Sequence, residues 1–174
     1  MAAGCSKEED DNGVTDPTDP QLTLTSTAFE SGATIPDLYT CEGTDISPQL
    51  QWSITNEPEG IVSFALIVDD PDAPVGTWVH WVFFNLPAAT ASLPEGTSPD
   101  GEIPVGCIEG INDFGNSEYG GPCPPTGQNH RYYFRLYALD TELDLTAGAT
   151  RTQVDQAMSG HILVEGSLMG RYER

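Results

Sequence analysis

The sequence predicts a mainly β protein, an antiparallel β-sandwich of about ten short strands with one or two short helices. Three observations carry this reading. Segments in which apolar and polar residues alternate recur along the chain, the pattern of a strand with one buried face. The 174 residues include 14 Pro and 18 Gly, which divide a chain into short elements joined by turns. Helical apolar spacing occurs clearly in one segment only, and the strand–helix–strand rhythm of a parallel sheet is missing.

Residues 1–20 offer a core almost nothing to bury and are expected to form a disordered acidic linker ahead of one domain at 21–174. From Gln21 the pattern turns to β: Leu22 and Leu24 alternate with threonines, a short segment surrounds Pro36, and Leu50, Trp52 and Ile54 alternate with Gln51 and Ser53. Asn56 to Gly60 has turn composition. Two strongly apolar strands follow at 61–69 and 79–86. Phe64, Leu66, Val68 and Asp70 share one face, so an apolar strand ends in a carboxylate; Pro71 and Pro74 stop it, because proline cannot donate to a ladder. Alternation puts His80 on the face of Val82 and Phe84. Residues 87–104 are rich in Ser, Thr, Gly and Pro and read as a long surface excursion anchored by Leu93 and Ile103. A Gly- and Pro-rich loop spans 108–127, with Phe114 and Tyr119 as plugs. The strand at 130–138 opens with His130 on the face of Tyr132, Phe134 and Leu136. Thr150 and Gln153 form a capping box, Val154, Ala157 and Met158 give a helix its apolar stripe, and Gly160 ends it. Ile162, Val164, Leu168 and Tyr172 supply a last strand.

The charge balance limits the partners. With 27 acidic against 6 basic residues, the net charge is −21, so nucleic acid is excluded as a partner for want of clustered Lys and Arg. The same field repels phosphate-bearing ligands at long range, so an anion site must be built locally. No apolar run approaches the length of a membrane span. Ala3-Gly4-Cys5 nevertheless resembles the end of a lipoprotein signal, cleaved just ahead of a Cys5 that becomes lipidated. Ser6 to Asp11 is similar to the acidic export tag of some bacterial surface lipoproteins. The expectation is an exported protein of the bacterial envelope, periplasmic or at the cell surface, held to the membrane only by a lipid anchor. Its linker of about 15 residues would reach ~20–25 Å as a flexible coil.

Asp70, His80 and His130 stand out chemically. Each sits at the end of a strand, on the side that alternation marks as buried, which makes a pocket rim of one acid and two imidazoles. A carboxylate beside imidazoles favours their charged forms, raising pKa values from about 6.5. At least one histidine is therefore expected to be a cation near neutrality, donating to a phosphoryl or carboxylate oxygen. Glycine-rich backbone at 120–123 can add N–H donors by close approach, and Trp78, Pro124 and Tyr132 supply rigid walls for a small head group. Asp72 is expected to serve only the turn, and His161 to be structural.

Asp70-Pro-Asp-Ala-Pro74, His80-Trp81 with Asn85, Gly-Pro-Cys-Pro-Pro at 121–125 and His130-Arg-Tyr132 resemble the two signature regions of the phosphatidylethanolamine-binding protein family. Ser47-Pro48, Leu50, Trp52 and Asn112-Asp-Phe-Gly115 are similar to its bacterial and archaeal branch, often called Raf-kinase-inhibitor-like. The resemblance runs in order from about residue 22 to 172. It implies a β-sandwich with a large central sheet and a pocket at its edge. It implies too that Asp70, Trp78, His80, Gly121, Pro124, His130 and Tyr132 line an anion pocket, given a loop before His130 about one residue shorter. The chain departs from animal members in ending soon after the last strand, without a helix over the pocket, which implies a more open cavity. If the protein is exported, Cys41, Cys107 and Cys123 permit one disulfide in three ways; the resemblance favours Cys41–Cys123.

The function expected is binding of a small anionic or phosphorylated ligand, such as a phospholipid head group, without a cofactor. Family resemblance also admits a protein partner, as in protease or kinase inhibitors and signalling adaptors. A hydrolase or lyase using His80 and Asp70 as acid and base is a third reading. Zinc held by two His and an Asp would need ligands that lack local motif spacing, so no metal is expected, and a Cys123–His130 nucleophile competes with the disulfide.

Overall fold

A computed structural model describes residues 18–174, so Cys5 and most of the acidic linker lie outside the described residues. Among those described, eight strands and one α-helix follow in the order β1 (Gln21–Thr25), β2 (Leu50–Thr55), β3 (Ser63–Asp70), β4 (Trp78–Pro87), β5 (Ser92–Leu93), β6 (Ile108–Glu109), β7 (Asn129–Leu139), α1 (Arg151–Met158) and β8 (Ile162–Glu173). They form a three-stranded sheet, β1-β2-β5, and a five-stranded sheet, β6-β4-β3-β7-β8. Every strand pairing is antiparallel. The class is the expected one, but the strand count is lower. Around Pro36 there is a single 3₁₀ turn, Asp37–Tyr39, with one isolated bridge between Thr34 and Arg171, since a residue without an N–H cannot extend a ladder. The 87–104 excursion is more than surface: β5 pairs with β2, and Ser98 is buried and hydrogen-bonded to Ser47 through its carbonyl and its N–H.

Two apolar layers hold the sheets. Leu22, Leu24, Leu50 and Trp52 face Phe64, Leu66, Phe83, Phe134 and Leu136 between the sheets. The other face of the large sheet, with Ala65, Ile67, Val82 and Phe84, packs on Val154 and Met158 of α1 and on Leu143. β3 is therefore buried along its whole length, and its run of Phe, Ala, Leu, Ile and Val is what a strand covered on both faces requires. At ~1.5–3 kcal/mol for each large apolar side chain buried, this double layer dominates the favourable side of folding. Helix α1 starts at the expected capping box, where the Thr150 side chain accepts from the Gln153 N–H and the Gln153 side chain accepts from the Thr150 N–H.

The chain enters the domain far from the tips of β3 and β7. The Leu22 carbonyl lies against Gly166, which pairs with Leu136, six residues along β7 from His130. From there the backbone runs beside β8 toward Arg171, where Ile35 N–H donates to the Arg171 carbonyl.

Candidate functional site

At the tips of β3, β4 and β7 the structure brings Asp70, Trp78, His80, His130 and Tyr132 together around one cavity of about 240 Å³, closed on one side by Pro124. His80 reaches it by a route that alternation does not predict. The pairing of β3 with β4 shifts there: Val68 faces Trp81, Asp69 faces Val79, and His80 is the extra residue of a bulge. Val79, Val82 and Phe84 keep to the α1 side, whereas Trp81 and Phe83 lie between the sheets. The bulge turns His80 away from Val82 and Phe84 and onto the pocket side, where its ring meets Tyr132 edge-on at 5.2 Å.

Asp70 and His130 are 3% and 4% exposed and form a closed pair. Asp70 Oδ2 lies 2.7 Å from His130 Nδ1, and Asp70 Oδ1 accepts the Asp72 N–H at 2.8 Å. Nε2 of His130 is 3.1 Å from Gln128 Oε1, so both of its ring nitrogens are engaged. His80 Nδ1 is 2.6 Å from the Gly120 carbonyl; a carbonyl only accepts, so Nδ1 carries a proton and Nε2 is the nitrogen left for a ligand. Burial of the His80 imidazole outweighs the pull of the Gly120 carbonyl and the Asp70 charge and holds its pKa below the ordinary 6.5. For His80, then, desolvation outweighs the neighbouring carboxylate that was expected to favour the charged form of the imidazoles, and the neutral ring predominates at pH 7.

Two donors in the pocket wall are buried without a partner, Trp78 Nε1 and the Tyr132 hydroxyl. Tyr132 lies close enough to Asp70 to feel its charge but makes no hydrogen bond of normal geometry with it. Burial first, and that charge second, raise the Tyr132 pKa, so the hydroxyl keeps its proton as a donor.

Gly121 is not on the wall. Its N–H donates to Asp45 Oδ1 at 2.7 Å, and the Gly120 N–H donates to the His80 carbonyl, so neither is available as the ligand donor expected at 120–123. A Cβ on Gly121 would collide with the Tyr39 carbonyl and the Thr40 Cα, which is why glycine stands there. Cys41 and Cys123 are joined by a disulfide, which ties the Pro124 wall to the 37–45 loop. Asp72 does more than cap the turn: its carboxylate takes the Arg131 guanidinium at 2.6 and 2.8 Å and the Arg131 N–H at 2.9 Å, a contact that holds its pKa down at about 2.

The plug residues divide. Tyr119 is buried, its hydroxyl donating to the Tyr39 carbonyl at 2.9 Å. Phe114 is 45% exposed and stands edge-on to both Trp78 and His80 as part of the rim. Asn112 holds it there, accepting from the Phe114 and Asn116 N–H groups and donating to the Glu118 carbonyl. Exposed Val75 completes the mouth. Sequence reasoning passed over Asp45 and Val75 and used Asn112 only as a mark of resemblance; an Asn two residues before Phe114 in a Gly-rich loop was the readable signal for its role. His161 lies elsewhere, paired with Asp140 at 2.7 Å. Among the described residues no three His, Cys, Asp or Glu side chains are placed to hold a metal.

A larger cavity, about 590 Å³, lies on the α1 side of β3. Its two guanidinium groups, Arg135 and Arg151, are both committed to Asp69, at 2.9 and 2.5 Å, and Asp113 and Asp155 add negative charge to its wall. The smaller pocket has the polar groups with unused capacity.

Fold and site together define a two-sheet antiparallel β-sandwich with a small, largely apolar pocket at the strand tips of its larger sheet. The family model described as phosphatidylethanolamine-binding protein matches residues 25–173, and the chain belongs to that family. A UPF0098 protein of Methanothermobacter thermautotrophicus is 49% identical over 153 residues, covering 88% of this chain and 99% of its own. One from Aquifex aeolicus is 48% identical, covering 86% of each chain. Among solved structures, Escherichia coli YbcL, described as a member of the mammalian PEBP family, superposes with a TM-score of 0.82 at 34% identity, covering 88% of this chain and 99% of that one. A PEBP homologue from Chlamydia trachomatis gives 0.79 at 41% identity, covering 88% and 98%.

Proposed function

We propose that the pocket binds a small anionic head group, phosphoryl or carboxylate, and that the protein is a binding protein rather than an enzyme. The observation that carries this reading is the pair of buried donors without partners, Trp78 Nε1 and the Tyr132 hydroxyl, in one wall. An unmet buried donor costs ~1–3 kcal/mol; both atoms lie just beneath the pocket surface, and an oxyanion entering the cavity meets them when the two rings shift toward it. The neutral surroundings suit an anion, because the Asp70–His130 pair closes on itself and leaves the pocket without an outward-facing carboxylate. The rim residues Val75 and Phe114 suit an apolar body attached to the head group. In the same reading, Cys5 carries a lipid anchor in a bacterial envelope, and the ligand is a phospholipid head group or a free phosphorylated molecule.

The test is titration of ¹⁵N-labelled protein with O-phosphoethanolamine, following the indole N–H signal of Trp78. Saturable shifts that disappear in Asp70→Ala and His130→Ala are expected. Shifts that persist in both folded variants would move the ligand to another surface. Lipid labelling of Cys5 in cells, with the protein expressed behind a lipoprotein signal, checks the anchor; a soluble, unlabelled product removes it.

A further inference from the structure

The two ends of the Cys41–Cys123 bridge differ chemically. Cys41 is exposed, whereas Cys123 is half-buried and lines the pocket. Arg174 lies across both: its Nε is 2.5 Å from Glu42 Oε1, and its Nη1 donates to Cys123 Sγ at 3.5 Å. The Arg174 carbonyl accepts the Gly127 N–H at 2.7 Å, which fixes the backbone that carries this guanidinium. A cation beside a cysteine sulfur stabilises its thiolate. Cys41 has the carboxylate of Glu42 as its chain neighbour, which disfavours negative charge there. The two loops are also joined independently of the sulfurs. The Cys41 N–H donates to the Pro122 carbonyl at 3.2 Å, the Gly121 N–H to Asp45 Oδ1 at 2.7 Å and the Tyr119 hydroxyl to the Tyr39 carbonyl at 2.9 Å. Pro122, Pro124 and Pro125 stiffen the chain around Cys123. Breaking the bridge therefore leaves the two sulfurs close to one another and able to rejoin.

We propose that Cys41–Cys123 is a reversible exchange site for a dithiol reductant, with Cys41 taking the incoming sulfur and Cys123 leaving beside Arg174. A thiolate of the dithiol attacks Cys41 Sγ. As that S–S bond forms, the Cys41–Cys123 bond breaks, and its electron pair stays on Cys123 as a thiolate next to the guanidinium. The dithiol's second sulfur, as a thiolate, then attacks its first, closing the reductant's own disulfide and expelling Cys41. The two protons of the dithiol end on Cys41 and Cys123, and two electrons have passed to the protein. Because Pro124 follows Cys123 in the pocket wall, reduction loosens that wall. The exchange needs no ligand in the pocket; its effect on affinity rests on the anion-binding reading above.

The experiment uses the oxidised full-length chain without ligand, its Cys5 first blocked with iodoacetamide. After brief exposure to 2-mercaptoethanol, a neutral monothiol, the mixture is quenched with iodoacetamide and mapped by mass spectrometry. The mercaptoethanol adduct is expected on Cys41 and the alkyl group on Cys123, at least about tenfold over the reverse pattern. The rate should stay within about twofold between 0 and 1 M urea, whereas reduction through the unfolded chain would accelerate at least about fivefold. Arg174→Gln should slow the exchange about threefold at low salt and less at 1 M KCl, with Arg174→Lys close to wild type. Dithiothreitol should shift the Trp78 indole signal, and reoxidation should restore it. An adduct mainly on Cys123, a steep urea dependence, or an unchanged rate in folded Arg174→Gln overturns the exchange site; an unmoved indole signal overturns the loosened wall. If Arg174→Gln does not fold, the wild-type map and urea series decide alone. Failure of O-phosphoethanolamine to bind would remove the anion reading and leave each of these outcomes standing.

Discussion

His130 Nδ1 and Asp70 Oδ2 lie 2.7 Å apart although sixty residues separate them in the chain, and both side chains are shut away from water. A buried pair of this kind is worth little against an apolar replacement, but half of it is costly. His130→Ala leaves the Asp70 carboxylate with only the Asp72 N–H, so a loss of about 3–5 kcal/mol in stability is expected from urea unfolding. Asp70→Asn, which keeps an oxygen for one of the two donors and no buried charge, should cost clearly less; equal losses would mean that the charge of Asp70 is not what His130 meets.

His80 should leave a signature in the pH dependence of stability. Its native pKa lies below 6.5 because burial disfavours the cation. Between that native value and 6.5 the unfolded chain binds a proton that the folded chain does not. Stability from this residue therefore rises with pH through that window and is lost as pH falls. Urea midpoints measured from pH 7 to pH 5 should drop more steeply for the wild type than for His80→Asn, whose amide can still donate to Gly120. Parallel curves would contradict a neutral buried ring.

The Cys41–Cys123 bridge joins residues 82 apart in the chain. On the chain-entropy account, removing it in the Cys41→Ser, Cys123→Ser double variant should lower stability by about 4–5 kcal/mol. Since Cys123 and Pro124 line the pocket, ligand affinity should fall as well; a double variant with unchanged affinity would show that the wall stands without the bridge.

Cys107 should be silent toward reagents. The thiol is buried, and burial pushes its pKa up to about 11, so iodoacetamide at pH 8 should label it only after denaturation. Labelling of the native protein at the rate of a small thiol would show that the 98–107 segment opens readily.

Gly121→Ala tests close packing rather than chemistry. The added methyl meets the Tyr39 carbonyl and the Thr40 Cα, backbone that cannot rotate away, and a loss of several kcal/mol is expected. Retained stability would mean that the 37–45 loop is free to shift.

Most of the fold was legible because it rests on local pattern. Thr150 and Gln153 mark the helix start within one turn, and the alternation around Tyr132, Phe134 and Leu136 fixes the buried face of β7. The convergence of Asp70, His80 and His130 was readable only as strand ends rich in ionisable groups. The side on which His80 falls was not, since a bulge is set by how two strands pair and not by either strand alone. Asp45 was hidden for a similar reason: its partner, the Gly121 N–H, is 76 residues away. The neutrality of His80 escaped because sequence names the neighbouring charge but not the depth of burial that outweighs it.

The course of β1 fixes where the chain meets the body relative to the pocket. Leu22 meets the body beside Gly166, and Gly166 pairs with Leu136, about 20 Å along β7 from His130 at ~3.3 Å per residue. The chain thus joins the body at the end away from the pocket mouth, and a label or fusion placed ahead of Gln21 would start there rather than beside the ligand site.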